Sequence, residues 1–222
     1  MDIHVAENAA DASVVAAQWL ARQLRNAVRR RGAASLAVSG GGTAPPMFEA
    51  LAQLDVPWAA VTVWQVDERV APDGDPARNA GQLDALPLAA RQVKPMPVTA
   101  KDLRAAAKRY AAGLPERFDI VHLGMGDDGH TASWAPGDPV IDNPQPVAMC
   151  GLYNGFLRMT LTPPVVNGAR HRLMLTPGAG KAEPMRQWLL EDRSLPVQRL
   201  HRSNTVVVID AAAAALLPHA AP

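Results

Sequence analysis

A single cysteine, Cys150, stands among the 222 residues, so an internal disulfide is excluded and the fold must be held by a packed core. An excess of charge of either sign is also missing. Twenty-two basic residues face twenty-one acidic ones, for a formal charge of +1, and no basic stripe marks a nucleic acid or an anionic membrane as partner. No apolar run approaches the ~20 residues needed to cross a bilayer, and the alanine run Ala211 to Ala215 is halted by Pro218. The opening residues MDIHVAENAADAS lack the basic and apolar regions of a secretory signal, which with the lone thiol points to the reducing cytoplasm. His4, His122, His130, His171, His201 and His219 show neither HxxxH nor HExxH spacing, so no metal site is predicted. Internal repeats and a convincing interior linker are absent too, and residues 1–222 read as one domain.

What is present is enough apolar residue, 48%, to bury a substantial core, arranged so that helical and strand patterns alternate. From Asp11 the period is helical, with Ala17, Leu20, Leu24 and Val28 on one face, Arg22, Arg25 and Arg29 on the other, and Gly32 as the stop. Ser35 to Val38 is a short strand. Ser39, Gly40, Gly41, Gly42 and Thr43 follow it, before Pro45 and Pro46 open an amphipathic helix through Met47, Phe48 and Leu51. A glycine loop leading into a helix offers backbone N–H groups at a positive helix end, which suits phosphate. The strand Val61 to Val66 runs directly into Asp67, Glu68 and Arg69, where Arg69 could simply pair with its acidic neighbours. Asp102 to Leu114 is helical. Pro136 to Pro146 reads as loop, and Leu157 to Leu161 as a strand carrying Arg158 outward or toward a site. Arg172 to Thr176 is a strand, Gly180 and Lys181 open a helix through Trp188, and Thr205 to Ile209 is a strand whose Asp210 caps an alanine-rich helix.

The organising stretch is Phe118 to Gly137. Its apolar run Phe118 to Leu123 is too short for an ordinary helix and reads as a buried strand. Gly124, Gly126 and Gly129 then allow a sharp turn carrying Asp127, Asp128 and His130, at the strand end where open α/β sheets bind ligands. These glycines also satisfy the dinucleotide pattern GxGxxG, yet Pro136 and Gly137 arrive before the helix that such a fingerprint must open.

Five segments, in order, carry a resemblance: SGGGT at 39–43, DER at 67–69, GMGDDGHTAS at 124–133, RMTLT at 158–162 and GAGKA at 178–182. With them the chain resembles the 6-phosphogluconolactonase family over roughly Ser35 to Leu216. The resemblance implies an α/β fold with a single open, largely parallel sheet flanked by helices, related to the glucosamine-6-phosphate deaminase and ribose-5-phosphate isomerase fold. It implies hydrolysis of 6-phospho-D-glucono-1,5-lactone, a step of the oxidative pentose phosphate pathway, with the sugar-phosphate lactone as partner and no cofactor. His130 is then the general base, since a neutral imidazole suits proton removal from water near neutral pH, and Asp128 orients or polarises it. Gly41, Gly42, Thr43, Arg158 and Lys181 bind the phosphate on combined physical and family grounds. Asp67 holds sugar hydroxyls or supports Arg69, and Arg69 or the glycine-turn N–H groups meet the oxyanion. Where the family continues DGHTAS with a Leu-Phe-Pro-like step, this chain has Trp134, Ala135 and Pro136; the deaminases carry a glutamate where Ala135 stands. Amino-sugar phosphate deamination or isomerisation and a non-catalytic sugar-phosphate sensor stay open as alternatives, and oligomeric state is left unspecified.

Overall fold

The computed structural model describes residues 1–218; His219 of the histidine inventory lies outside them. Seven strands form one wholly parallel sheet: β1 (Asp2–Ala6), β2 (Ala34–Val38), β3 (Val61–Gln65), β5 (Val93–Lys94), β6 (Ile120–Leu123), β9 (His171–Leu175) and β10 (Thr205–Asp210). Their spatial order is β1-β10-β9-β6-β2-β3-β5. A second, antiparallel sheet of three strands pairs β4 (Asp67–Arg69), β8 (Phe156–Leu161) and β7 (Val147–Tyr153) in that order.

Alternation along the parallel strands divides the core. Leu36, Val38, Ile120, Val206 and Val208 face one side and pack with Leu20 and Leu24 of α1 (Ala9–Arg31) and Met47 and Phe48 of α2 (Ala44–Ala52). Ala37, Val121, Leu123, Val207 and Ile209 face the other. There they meet Tyr110 of α3 (Leu103–Ala112), Val166 of α4 (Pro163–Gly168), Trp188 of α5 (Ala182–Leu189), and Met159 and Leu161 of the small sheet. Both faces of a parallel sheet must be covered, which is why these strands read as near-continuous apolar runs.

The helical reading of residues 11–32 holds, and its ends have physical causes. Asn8 accepts from the Asp11 amide at 3.0 Å, and Gly32, at φ 77°, closes the last turn by donating to Val28 O. Three expectations need revision. The DER segment is not an appendage of β3, because the chain changes sheets at Val66, whose N–H donates to Val38 O while its carbonyl accepts from Leu161 N. Residues 139–142 form a 3₁₀ turn inside the expected loop. The alanine-rich segment after Asp210 forms turns rather than a helix; Asp210 Oδ1 does cap it, accepting from Ala213 N at 2.8 Å. Too few residues precede Pro218 to repay helix nucleation.

Candidate active site

From β2 the chain proceeds to β3 and β5 on one side, and β6 then returns to the other side of β2, leading on to β9 and β10. The reversal leaves a crevice at the carboxyl ends of β2 and β6, where such sheets bind ligands. The loops leaving those two strands are SGGGT and GMGDDGH, and they start side by side, with Ser39 N donating to His122 O at 3.1 Å.

The second loop is a tight turn. Gly129 N donates to Gly126 O and Gly126 N to His130 O, which folds His130 back over Gly126. A Cβ on Gly126 would lie 2.0 Å from His130 Nδ1, so only glycine lets the ring sit there. No helix follows; residues 131–134 form a bridge and a turn, which removes the dinucleotide reading.

Within this turn His130 Nδ1 lies 2.6 Å from Asp128 Oδ1, and the His130 amide donates to the same oxygen at 3.1 Å. Partial burial works against ionising Asp128, but hydrogen bonds from Tyr153 and His130 outweigh it and hold the carboxyl below the usual aspartate range. An ionised carboxylate only accepts, so Nδ1 carries the proton and Nε2 is the basic nitrogen of the neutral ring. Its partner Tyr153 closes β7; the Tyr153 Oη to Asp128 Oδ2 distance is 2.6 Å.

His130, Asp67, Arg69, Arg158 and Gly41 line one cleft, together with Ser39, Asn79 and Gly124. The small sheet supplies the charged wall. Asp67 and Arg69 share one face of β4, opposite Thr160 and Arg158 of β8. Arg158 is buried, pointing to the site rather than outward, and its guanidinium lies 5.0 Å over the Tyr153 ring. Burial pushes Asp67 up from the ordinary range, opposed by the Ser133 Oγ hydrogen bond at 2.7 Å and by the Arg158 charge. Arg69 does not use its neighbours as a surface pair: its guanidinium donates to Ala77 O.

Glu68 takes the opposite direction from Asp67 and is fully buried. It accepts from Gln65 Nε2 and the amides of Arg69, Asn79 and Ala80, forms an ion pair with the Arg78 guanidinium, whose Nε lies 3.1 Å away, and so fastens the long loop after β4. Asn79 is thereby delivered to the cleft. Its Oδ1 and Ser39 Oγ, both buried, find no hydrogen-bond partner among the described residues.

Gly42, Thr43, Asp128 and Lys181 do not line this cleft. Asp128 stands behind His130, Thr43 sits at the start of α2, and Lys181 Nζ is paired with Asp127 Oδ1, joining the GAGKA turn to the central loop. The Gly41 N–H is committed to Gln82 Oε1 at 3.1 Å. Trp134 lies in the core, fully buried, with Nε1 donating to Leu161 O at 2.8 Å, so this departure from the family pattern does not shape the cleft. A roomier depression of about 660 Å³ carries Glu49, Asp73, Asp75 and Asp84 against Arg78, an acidic wall that repels a phosphate.

Sequence reasoning missed Tyr153, Asn79, Ser133 and the β7 strand. A signal for one was available. Asn154-Gly155, both with positive φ (48° and 82°), is a hairpin turn signature that places Tyr153 at a strand end beside Arg158.

The comparisons agree with this architecture. A family model described as glucosamine-6-phosphate isomerases/6-phosphogluconolactonase matches residues 7–209. The 6-phosphogluconolactonase of Synechocystis sp. is 34% identical over 174 residues, covering 72% of each chain. That of Rhizobium meliloti is 34% identical over 200 residues, covering 84% of this chain and 86% of its own. The crystal structure of a 6-phosphogluconolactonase from Shewanella baltica superposes with a TM-score of 0.86 at 26% identity, over 95% of this chain and 98% of that one. A monomeric glucosamine-6-phosphate deaminase also reaches 0.86, at 21% identity, a likeness of fold alone. With its glycine loops at the sheet's reversal point and a match running through nearly all its strands, the chain belongs to the glucosamine-6-phosphate isomerase/6-phosphogluconolactonase family.

Proposed function

We infer that the chain is a 6-phosphogluconolactonase, hydrolysing 6-phospho-D-glucono-1,5-lactone in the oxidative pentose phosphate pathway. The observation that carries this reading is the Asp128-His130 pair beside a cleft walled by Arg69 and Arg158. His130 Nε2 takes a proton from water as its oxygen attacks the lactone carbonyl, giving a tetrahedral oxyanion and an imidazolium. Arg69 stabilises the oxyanion. On collapse the bond to the ring oxygen breaks, and the proton on Nε2 passes to that oxygen, leaving a hydroxyl and a carboxylic acid that ionises.

Asp67, Ser39 and Asn79 hold sugar hydroxyls, the last two through atoms that lack partners within the described protein. Arg158 binds the phosphate, and Lys181 joins it by leaving Asp127, with Gly42 and Thr43 closing the far side at the start of α2. The Gly41 amide, engaged with Gln82, shapes this loop. Ala135, small and buried, offers no carboxylate where the deaminases carry one.

A coupled assay on freshly generated lactone, with the spontaneous rate subtracted, tests the reading. Turnover is expected. Ammonia release from glucosamine 6-phosphate would replace it with deamination, and thermal stabilisation by 6-phosphogluconate without turnover would replace it with a sensor.

A further inference from the structure

We propose that Tyr153 is a positioning residue that fixes the Asp128 carboxylate and, through it, the tautomer of His130. The proposal rests on the lactonase reading only for its kinetic consequence.

Three contacts carry it. Tyr153 Oη lies 2.6 Å from Asp128 Oδ2 and 3.0 Å from His130 Nδ1, while Asp128 Oδ1 lies 2.6 Å from that same nitrogen. One hydroxyl has one proton. Asp128 can only accept, so the hydroxyl donates to Oδ2 and turns a lone pair toward the Nδ1–H, whose one proton points chiefly at Asp128 Oδ1 and is shared with Tyr153 Oη. Each carboxylate oxygen is then held from a different direction, and the tautomer with its proton on Nε2 would leave two acceptors facing an unprotonated Nδ1. Partial burial and the donation to Asp128 push the phenol up to about 12, so it remains a donor throughout the neutral range.

Tyr153 is itself held from two sides. Its ring meets the His130 imidazole edge-on, with centroids 5.2 Å apart and planes at 68°. Arg158 covers the ring at 5.0 Å from the centroid, and Arg158 Nε donates to the Tyr153 carbonyl at 3.4 Å. Tyr153 therefore connects the proton-transfer pair to the arginine that lines the cleft, and the β7-β8 hairpin acts as a brace for the base.

Tyr153→Phe keeps the ring and removes the hydroxyl. In this variant kcat is expected to fall about tenfold, the scale of losing an outer hydrogen-bonding partner, with KM held within about twofold. Ring ¹⁵N–¹H correlations of the neutral imidazole, assigned by their loss in His130→Asn, should show the Nδ1–H form in the wild type and a mixture of both tautomers in Tyr153→Phe. Tyr153→Ala, which also uncovers Arg158, should raise KM as well. Wild-type kcat with an unchanged tautomer in Tyr153→Phe overturns the proposal, and so does a lower kcat without a tautomer change. A tautomer shift in a protein whose wild type hydrolyses no lactone sustains the positioning role and removes the lactonase reading.

Discussion

Arg69 and Arg158 are cross-strand partners in the antiparallel β4-β8 pair, two guanidinium-bearing residues directly opposite one another at the edge of a cleft. Like charges in that relation are unfavourable, and here the buried Asp67, on the same face, offsets them locally.

An anionic ligand relieves this repulsion, so phosphate or 6-phosphogluconate should raise the Tm of the wild type in a concentration-dependent way. Charge-assisted contacts are worth roughly 1.5 to 3 kcal/mol, and Arg158→Ala should therefore weaken product binding by about one to two orders of magnitude. Equal ligand-induced Tm shifts in the wild type, Arg69→Ala and Arg158→Ala would remove both arginines from the site.

His130→Ala should lower kcat by about 10² to 10⁴-fold, the usual contribution of a positioned general base. Product affinity should stay close to the wild-type value, because Arg69 and Arg158 stand on other elements. A folded variant retaining wild-type kcat would turn attention to Asp67 or Asp127 as the base.

Asp128 titrates below the usual aspartate range in the folded chain, since the hydrogen bonds from Tyr153 and His130 overcome the opposing effect of burial. The stabilisation this supplies is full above the unfolded pKa of about 4 and is lost as pH falls through the folded value. Wild type should therefore exceed Asp128→Asn in Tm at pH 7, with the gap closing below about pH 4. A gap that stays constant from pH 7 to pH 2.5 would contradict the hydrogen-bonding scheme. In kinetics, Asp128→Asn should give a milder form of the His130→Ala defect.

Glu68→Ala should be among the costly single changes, because it leaves Arg78, 7% exposed at its side chain, without its buried carboxylate. Breaking such a pair costs about 3 to 5 kcal/mol, and three backbone amides lose their acceptor as well. Urea unfolding measures the loss. A change below about 1 kcal/mol would show that the 70–79 loop holds without it.

Much of the fold was legible because its causes are local. Period 3.6 with a left-handed Gly32 stop identifies α1, and short apolar runs ended by glycine or charge identify β2, β3, β6, β9 and β10. Strand β1 escaped notice since its residues are largely exposed at a sheet edge, and β4 because the switch of sheets at Val66 leaves no mark in composition. The Asp128-His130 pair was legible for the same local reason: two residues apart, on a turn that Gly126 and Gly129 permit, they are brought together by the backbone itself.

By itself, then, the sequence determined the alternation of strands and helices, the loops at their carboxyl ends and the Asp128-His130 pair within one of those loops, since backbone sterics and side-chain period act over a few residues. Tertiary structure decided the rest. It set Arg69 opposite Arg158, brought Tyr153 to Asp128 across 25 residues, turned Glu68 inward to deliver Asn79, and gave Lys181 to Asp127 across 54. Those contacts depend on which strands pair and in what register, and register is set by burial of whole strand faces against distant elements, which no short stretch of chain specifies.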